Sequence, residues 1–351
     1  MGFAALLALA LFGLNRVGSA IDRNNKMEGR KVATLPSYSY EYSWLTNDKL
    51  LIQVPSYISN QGKNNYPVRF QILNIKDGSL DQLAGLNNWI NNRESGTGVQ
   101  LNYQSNAFSP DGKWMYASEM KWVGARSLTG TNQNWLVSLD GTKQVSVKTR
   151  DGFVKWLPAS SGLVLSHYLG VGQAGRNKFS HYVLKPDNLN KHPLIPGVFK
   201  DQTIETASAL VGNQVIDLIT DYRPMGKQYV LKIDWVHLVK RKADNLAVET
   251  TGAKLPLPPH SEKTYAASCN LSPIGDQLLW TFQENFESSS SDFLLGLLKV
   301  RTHPEFIITD LEGKVVRTLP PLEAPSNVQW LPDGKHISYR SSNNIYIIDL
   351  D

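Results

Sequence analysis

The sequence predicts an all-β chain folded as a six-bladed β-propeller of four-stranded antiparallel blades. Three observations carry this. One turn pattern recurs six times, strand-like alternation fills the spaces between copies, and the last repeat is short of one strand. The clearest copy is Phe108-Ser109-Pro110-Asp111-Gly112-Lys113-Trp114-Met115-Tyr116. Pro110 presets φ near −65° for a tight turn, and Gly112 can take the positive φ such turns need. Trp114 and Tyr116 then alternate with Lys113 and Met115, as in a strand.

The pattern returns as Trp330-Leu331-Pro332-Asp333-Gly334-Lys335, as Leu271-Ser272-Pro273-Ile274-Gly275-Asp276, and as Trp156-Leu157-Pro158-Ala159-Ser160-Ser161-Gly162. Looser copies start at Trp44 and Leu210. The anchors Trp44, Phe108, Trp156, Leu210, Leu271 and Trp330 are spaced 48 to 64 residues apart. A period of that size holds four strands with their turns, which is one propeller blade. The blades are expected at about 38–84, 104–149, 151–196, 202–250, 264–319 and from 328 onward.

The segments Phe108-Ser109-Pro110-Asp111-Gly112-Lys113 and Trp330-Leu331-Pro332-Asp333-Gly334-Lys335 resemble the repeat of TolB-like, WD40-like (PD40) six-bladed propellers. As an architecture the resemblance covers residues 31–351. It implies the fold, and it suggests an extracytoplasmic binding role rather than an enzymatic one.

The sixth repeat runs through 328–330, 337–340 and 345–350 and then stops, one strand short. Lys31-Val32-Ala33-Thr34-Leu35-Pro36 resembles Lys314-Val315-Val316-Arg317-Thr318-Leu319-Pro320, the segment that ends the fifth repeat. A ring must close without exposed edges. The N-terminal segment is therefore expected to complete the last blade as its outer strand.

Residues 3–14 are almost wholly apolar and are followed by Gly18-Ser19-Ala20. The run is short for a membrane span, which needs about 20 residues. It fits the apolar core of a secretory signal, although no Lys or Arg precedes it. A cleaved signal, an uncleaved anchor and a buried helix are the three readings. The domain reading is therefore a signal or anchor over 1–20, a linker over 21–30 and the propeller over 31–351. It places the protein outside the cytoplasm, in a bacterial periplasm, with a tether to the membrane if the segment is kept.

The formal net charge is +5, from 36 basic and 31 acidic residues. This excludes a strongly basic nucleic-acid coat and permits a local anion-binding patch. The single cysteine, Cys269, excludes an intrachain disulfide and a cysteine-rich zinc site. It is expected to be a buried, inert thiol.

The chain contains no Gly-x-Ser-x-Gly elbow, no His-Glu-x-x-His and no phosphate-binding loop. Gly170-Val171-Gly172-Gln173-Ala174-Gly175 matches G-x-G-x-x-G without the strand-to-helix setting that gives the motif meaning, and reads as a loop. No catalytic residue, metal ligand or cofactor is assigned.

In each blade the turns joining strands one to two and three to four lie on one face. The connections between strands two and three lie on the other. Those connections read as long loops at 53–67, 119–134, 167–180, 220–229 and 282–305, with the linker 85–103 joining the same face. Long loops on a rigid scaffold are where binding concentrates. In blades one to four they hold Lys63, Lys121, Arg126, Arg176, Lys178, Arg223 and Lys227 against Glu119 and Asp221.

Aromatic residues accompany the basic ones, so Trp122, Arg126, Tyr168, Arg176, Tyr222 and Arg223 are the candidate ligand-binding set. The expected partner is a protein, peptide or envelope component. The bland alternative is a solvated loop surface. In the blade-five connection, Phe293, Leu294, Leu297 and Leu298 share a helical face next to Lys299 and Arg301. They read as a membrane- or partner-docking stretch, or as a loop folded back on the disc. The leading function is a monomeric, non-enzymatic binding or scaffold module. The alternatives are a lactonase-like or glycan-cleaving propeller with a channel-mouth site, and the sensor domain of a longer membrane protein.

Overall fold

A computed structural model describes residues 29–36, 41–55, 68–95, 99–102, 107–123, 127–148, 152–157, 162–171, 177–185, 208–224, 231–244, 247–262, 264–284, 304–322 and 324–350. It is a six-bladed β-propeller of antiparallel blades. Blade one is β2 (Glu41–Thr46), β3 (Lys49–Pro55), β4 (Val68–Asn74) and β5 (Leu80–Gln82). The helix α1 (Ala84–Glu94) follows. Blade two is β6 (Val99–Asn102), β7 (Trp114–Val123), β8 (Ser127–Ser138) and β9 (Gln144–Lys148). Blade three shows β10 (Gly152–Trp156), β11 (Leu163–Val171) and β12 (Asn177–Leu184), and the stretch expected to end it lies outside the described residues.

Blade four is β13 (Ser208–Val211), β14 (Gln214–Pro224), β15 (Leu231–Lys242) and β16 (Val248–Thr251). Blade five is β17 (Thr264–Leu271), β18 (Gln277–Glu284), β19 (Glu305–Asp310) and β20 (Val315–Thr318). Blade six is β21 (Pro325–Trp330), β22 (His336–Ser341), β23 (Asn344–Asp349) and, as its outer strand, β1 (Arg30–Thr34). The expected closure is present: Arg30 pairs with Ile347, Lys31 with Tyr346, Ala33 with Ile345 and Thr34 with Asn344.

The repeated turns share one hydrogen-bond frame. Ser109, Leu157, Ser272 and Leu331 each donate their N–H to the carbonyl five residues on, at Trp114, Gly162, Gln277 and His336. Gly112, Gly275 and Gly334 take φ of +64°, +74° and +68°, which a side chain would resist. Each of these turns also seats on the preceding blade. A Cβ on Gly275 would lie 2.6 Å from Val211, and one on Gly334 would lie 2.6 Å from Ile274. Asn47 Nδ2 donates to Asp333 Oδ2 at 2.8 Å, joining the turns of blades one and six.

The anchor tryptophans do more than fill space. Trp156 Nε1 donates to Ala107 O at 2.8 Å, and Trp330 Nε1 to Asn270 O at 3.2 Å. Trp44 Nε1 donates to Ser338 Oγ at 2.7 Å. Each bond runs between neighbouring blades, and two join their first strands, which therefore stand closest to the axis. Cys269 is buried on β17, as expected.

Blades three and four meet over a buried charged group. Asp217 Oδ1 accepts from Lys155 Nζ at 2.5 Å and also from Ser208 Oγ, while Asp217 Oδ2 accepts from Arg241 Nε at 2.7 Å. Lys155, Asp217 and Arg241 are 3%, 4% and 1% exposed. Burial alone would raise the Asp217 carboxyl; Lys155 and Arg241 outweigh it and hold the group below the usual carboxylate range.

Two readings of the sequence are corrected. The segment 85–103 is not a loop on the long-connection face. Most of it is α1, wedged between blades one and two, followed by β6, so blade two begins at Val99 rather than near 104. Leu86, Trp89 and Ile90 form the buried stripe of the helix. Asn87 acts as a substitute strand: its Oδ1 accepts from Phe70 N at 2.8 Å and its Nδ2 donates to Phe70 O at 3.0 Å. Gly85 touches the Asp140–Gly141 turn so closely that a Cβ would fall 1.7 Å from Asp140 O. The second correction concerns the connections of blades two to four, whose described residues are strand.

Deleting residues 29–36 should remove the outer strand of blade six and lower the melting temperature by about 10 °C or more, while deleting 1–20 should leave it unchanged; differential scanning calorimetry reads both. Asp217→Asn should cost about 3–5 kcal/mol, because it leaves Lys155 and Arg241 buried without their anion. The depressed Asp217 pKa contributes stability above about pH 4 that is lost as pH falls through its folded value. The variant's acid unfolding limb should therefore be flatter than that of the wild type in pH-dependent denaturant melts.

Candidate functional site

The face opposite the repeated turns is built unevenly. In blade six the β22–β23 pairing runs from His336↔Asp349 to Ser341↔Asn344. In blade four β14–β15 runs from Gln214↔Lys242 to Pro224↔Leu231. Eleven rungs at about 3.3 Å against six put the blade-four hairpin some 15 Å higher. The hairpin β7–β8 reaches Val123↔Ser127 and β11–β12 reaches Val171↔Asn177. Among the described residues, three adjacent blades thus raise tall hairpins on this face. The local sequence allows it, since stretches such as Leu218-Ile219-Thr220 and Trp235-Val236 are rich in β-branched and aromatic residues.

Each tall hairpin is bulged. The register shifts between Ser118 and Met120, between Tyr168 and Gly170, and between Asp221 and Tyr222. The corresponding pairs of blades one, five and six run without a shift. A bulge bends its strand and re-aims the side chains beside it. Gly170 takes φ +110° at the second bulge, so it belongs to a strand and not to the loop read from its G-x-G-x-x-G match.

Of the six candidate ligand-binding residues, Tyr168 and Tyr222 sit at bulges, and Trp122 and Arg223 lie on the hairpins just beyond them. Arg126 and Arg176 lie outside the described residues. So do Phe293, Leu294, Leu297 and Leu298, whose flanking strands end at Glu284 and resume at Glu305 on this face.

The foot of the first hairpin holds a charged clamp that sequence reasoning missed. Glu119, taken as a loop acid, is 8% exposed at the bulge. Its Oε2 accepts from Arg93 Nε at 3.1 Å, from Arg93 Nη2 at 2.8 Å and from Trp135 Nε1 at 3.1 Å. Its Oε1 accepts from Thr131 Oγ1 at 3.2 Å, next to Asn132 with φ +66°. Burial pushes the carboxyl up, and the bonds from Arg93, Trp135 and Thr131 overcome this and hold it below its ordinary value. The Arg93 guanidinium also lies 4.2 Å from the Trp135 ring centre, a cation–π contact.

The third hairpin repeats the theme. Trp235, opposite Asp221 at the bulge, carries Lys254 Nζ at 4.7 Å from its ring centre and meets His237 edge-on at 4.4 Å. Trp135 and Trp235 are thus aromatic residues under a cation beside the bulges of two hairpins. Only the aromatic–basic composition of these strands signals them in the sequence.

Glu94, at the end of α1, accepts from Leu101 N at 2.8 Å. Leu101 stands opposite Glu119 across β6–β7. Burial raises the Glu94 carboxyl, partly offset by that hydrogen bond. These two carboxylates are therefore driven in opposite directions. Among the described residues no three His, Cys, Asp or Glu side chains are grouped to hold a metal ion.

Arg93→Ala should cost about 1–2 kcal/mol, discounted for the solvent-exposed side of Arg93. It should also speed amide exchange in 118–135 more than in β22–β23. Equal protection in the two hairpins would show that the clamp does not hold the bulge.

No family model matches the chain, and no curated protein matches it. Among solved structures it is similar to the tricorn protease, with 11% identity and a TM-score of 0.47 over 93% of this chain and 34% of that one. It is similar to prolyl oligopeptidase B from Galerina marginata, with 11% identity and a TM-score of 0.45 over 96% of this chain and 53% of that one. The chain therefore spans between a third and about half of those two proteins. It is also similar to the β-propeller domain of the Trilobed protease from Pyrococcus furiosus, with 12% identity and a TM-score of 0.42 over 92% and 83% of the two chains.

Proposed function

We propose that this protein is a non-enzymatic binding or scaffold propeller, acting outside the cytoplasm, that engages an acidic protein or peptide segment through its hairpin face. The observation that supports this most is the set of three adjacent, bulged hairpins on blades two to four. The hairpins carry Lys121, Lys178, Arg223 and Lys232. Glu119, an opposing charge by sequence, is already neutralised by Arg93. Aromatic residues at the bulges offer rigid contact area at little entropic cost, and basic residues steer an acidic partner.

A second reading is a propeller hydrolase, for which the candidate carboxyls are Glu94, held by Leu101 N, and Glu119, opposite Leu101 on the next strand. One experiment separates the two. A photo-crosslinking amino acid is placed at Tyr168, at Tyr222 and, as control, at Lys335 on the turn face, and the protein is irradiated in its native envelope. The binding reading expects discrete protein adducts from the two hairpin positions, about tenfold above the control, that fall when Lys121 and Arg223 are changed to Glu. Adducts equal at all three positions would sink it. Turnover of a glycan or lactone by the purified protein, abolished by Glu94→Gln, would favour the hydrolase.

A further inference from the structure

Blades one and two do not close fully against each other. The face of blade one turned to blade two carries Glu41 and Ser43 on β2, opposite Gln53 and Leu51 on β3, with Phe70 of β4 opposite Gln53. Across the gap stands Phe108, which precedes the turn of blade two and pairs with Met115. Phe70 and Phe108 meet edge-on with ring centres 5.0 Å apart. These six residues, with Tyr42, line a cleft of about 180 Å³, counted out to its mouth. Its floor is apolar, since Leu51 and Phe70 are fully buried. Its rim is polar, with Glu41 exposed and Ser43 and Gln53 half-buried.

Two polar groups of the rim are uncommitted. Among the described residues the Glu41 carboxylate makes no ion pair and no hydrogen bond, and neither does the Gln53 carboxamide make a hydrogen bond. By contrast, Glu94 accepts from Leu101 N, Glu119 from Arg93, and Asp217 from Lys155 and Arg241. Residues directly opposite in an antiparallel pair have Cβ atoms about 5 Å apart, so Glu41 and Gln53 can reach one small group together. An unpaired carboxylate repels an anion, and covering it with a purely apolar guest costs its hydration.

We propose that this cleft binds a primary ammonium group carried on an apolar stem. An ammonium has three N–H donors and no acceptor. Glu41, Gln53 and Ser43 offer it a carboxylate, a carbonyl and a hydroxyl oxygen. Aromatic rings such as Phe108 attract a cation through their faces. The stem lies on Leu51, Phe70 and Phe108, the apolar lining with few polar groups that marks small-molecule sites. A lysine side chain of a polypeptide and a free alkylamine share this chemistry. The inference does not rest on the acidic partner proposed for the hairpin face, because none of these residues belongs to the three tall hairpins.

The test uses the whole chain with para-fluorophenylalanine at Phe108, titrated with pentylammonium chloride and followed by fluorine NMR. The resonance should shift and saturate. Sodium pentanoate, of the same stem length and opposite charge, should leave it in place. Glu41→Gln should weaken binding about tenfold, the loss of one charged hydrogen bond. Gln53→Glu should tighten it about threefold, a gain that misfolding cannot produce. Binding by Glu41→Gln equal to wild type would overturn the proposal. So would a pentanoate shift as large as that from pentylammonium, or a shift that never saturates. A second arm titrates the capped peptide acetyl-Gly-Lys-Gly-amide. Tighter binding than pentylammonium, weakened by Glu41→Gln, supports the site and assigns it to a lysine side chain; the reverse order supports the site and assigns it to a free amine.

Discussion

The structure depends on the closure of the ring. A propeller blade cannot hide its flanks alone; each sheet is covered by the next, and the sixth must be covered by the first. Here closure uses two devices at one junction. β1 supplies the outer strand of blade six, with Leu35 buried beyond it and its N–H donated to Asn343 O at 2.7 Å. Tyr42 and Trp44 of blade one both reach Ser338 of blade six. Asn327, at φ +50°, returns a bond from its Nδ2 to Tyr42 O at 3.1 Å. Sequence-distant segments thus meet at one junction.

The junctions are not equivalent. Blades one and two are joined by a helix, whose Trp89 stacks edge-on against Trp135 at 6.0 Å and donates to Gln144 at 2.6 Å. Blades three and four are joined by the Lys155–Asp217–Arg241 group, and blades four and five by an apolar cluster including Leu238, Cys269 and Trp280. A buried ion group contributes less net stability than an apolar cluster of similar volume, but it tolerates misalignment less. The buried ion group thus sits between two of the three blades with tall hairpins, whereas blades two and three meet over an apolar cluster that includes Tyr116, Leu136, Trp156 and Leu163.

Much of the fold was readable in the sequence because its signals are local. The Pro-Asp-Gly turns, the anchor tryptophans and the incomplete last repeat depend on residues within a few positions of each other. The likeness of Lys31–Pro36 to Lys314–Pro320 announced the closing strand. What escaped was non-local or masked by composition. The Asn-rich segment 84–94 hid the spacing of Leu86, Trp89 and Ile90, which is helical on inspection. Gly130 and Gly170 interrupt the alternation of the tall hairpins, so strands read as loops. Arg93 and Glu119 lie 26 positions apart, and Lys155 and Asp217 lie 62 apart. Nothing in either neighbourhood signals those partners. The basic and aromatic character of the face was visible early, whereas Trp135 and Trp235 emerged only once the bulges set their surroundings.

The direction of β1 has a mechanical consequence. The upstream end of β1 and the downstream end of β23 both sit on the turn face. A pull on the residues before Arg30, directed along the strand, loads β1 along its length and not across it. The four paired positions from Arg30 to Thr34 then share the load in shear and must yield together. A force applied across the strand would open them one at a time, like a zipper. Closure by the N-terminal strand therefore makes the same seam strong against tension along the strand and weak against peeling from the side.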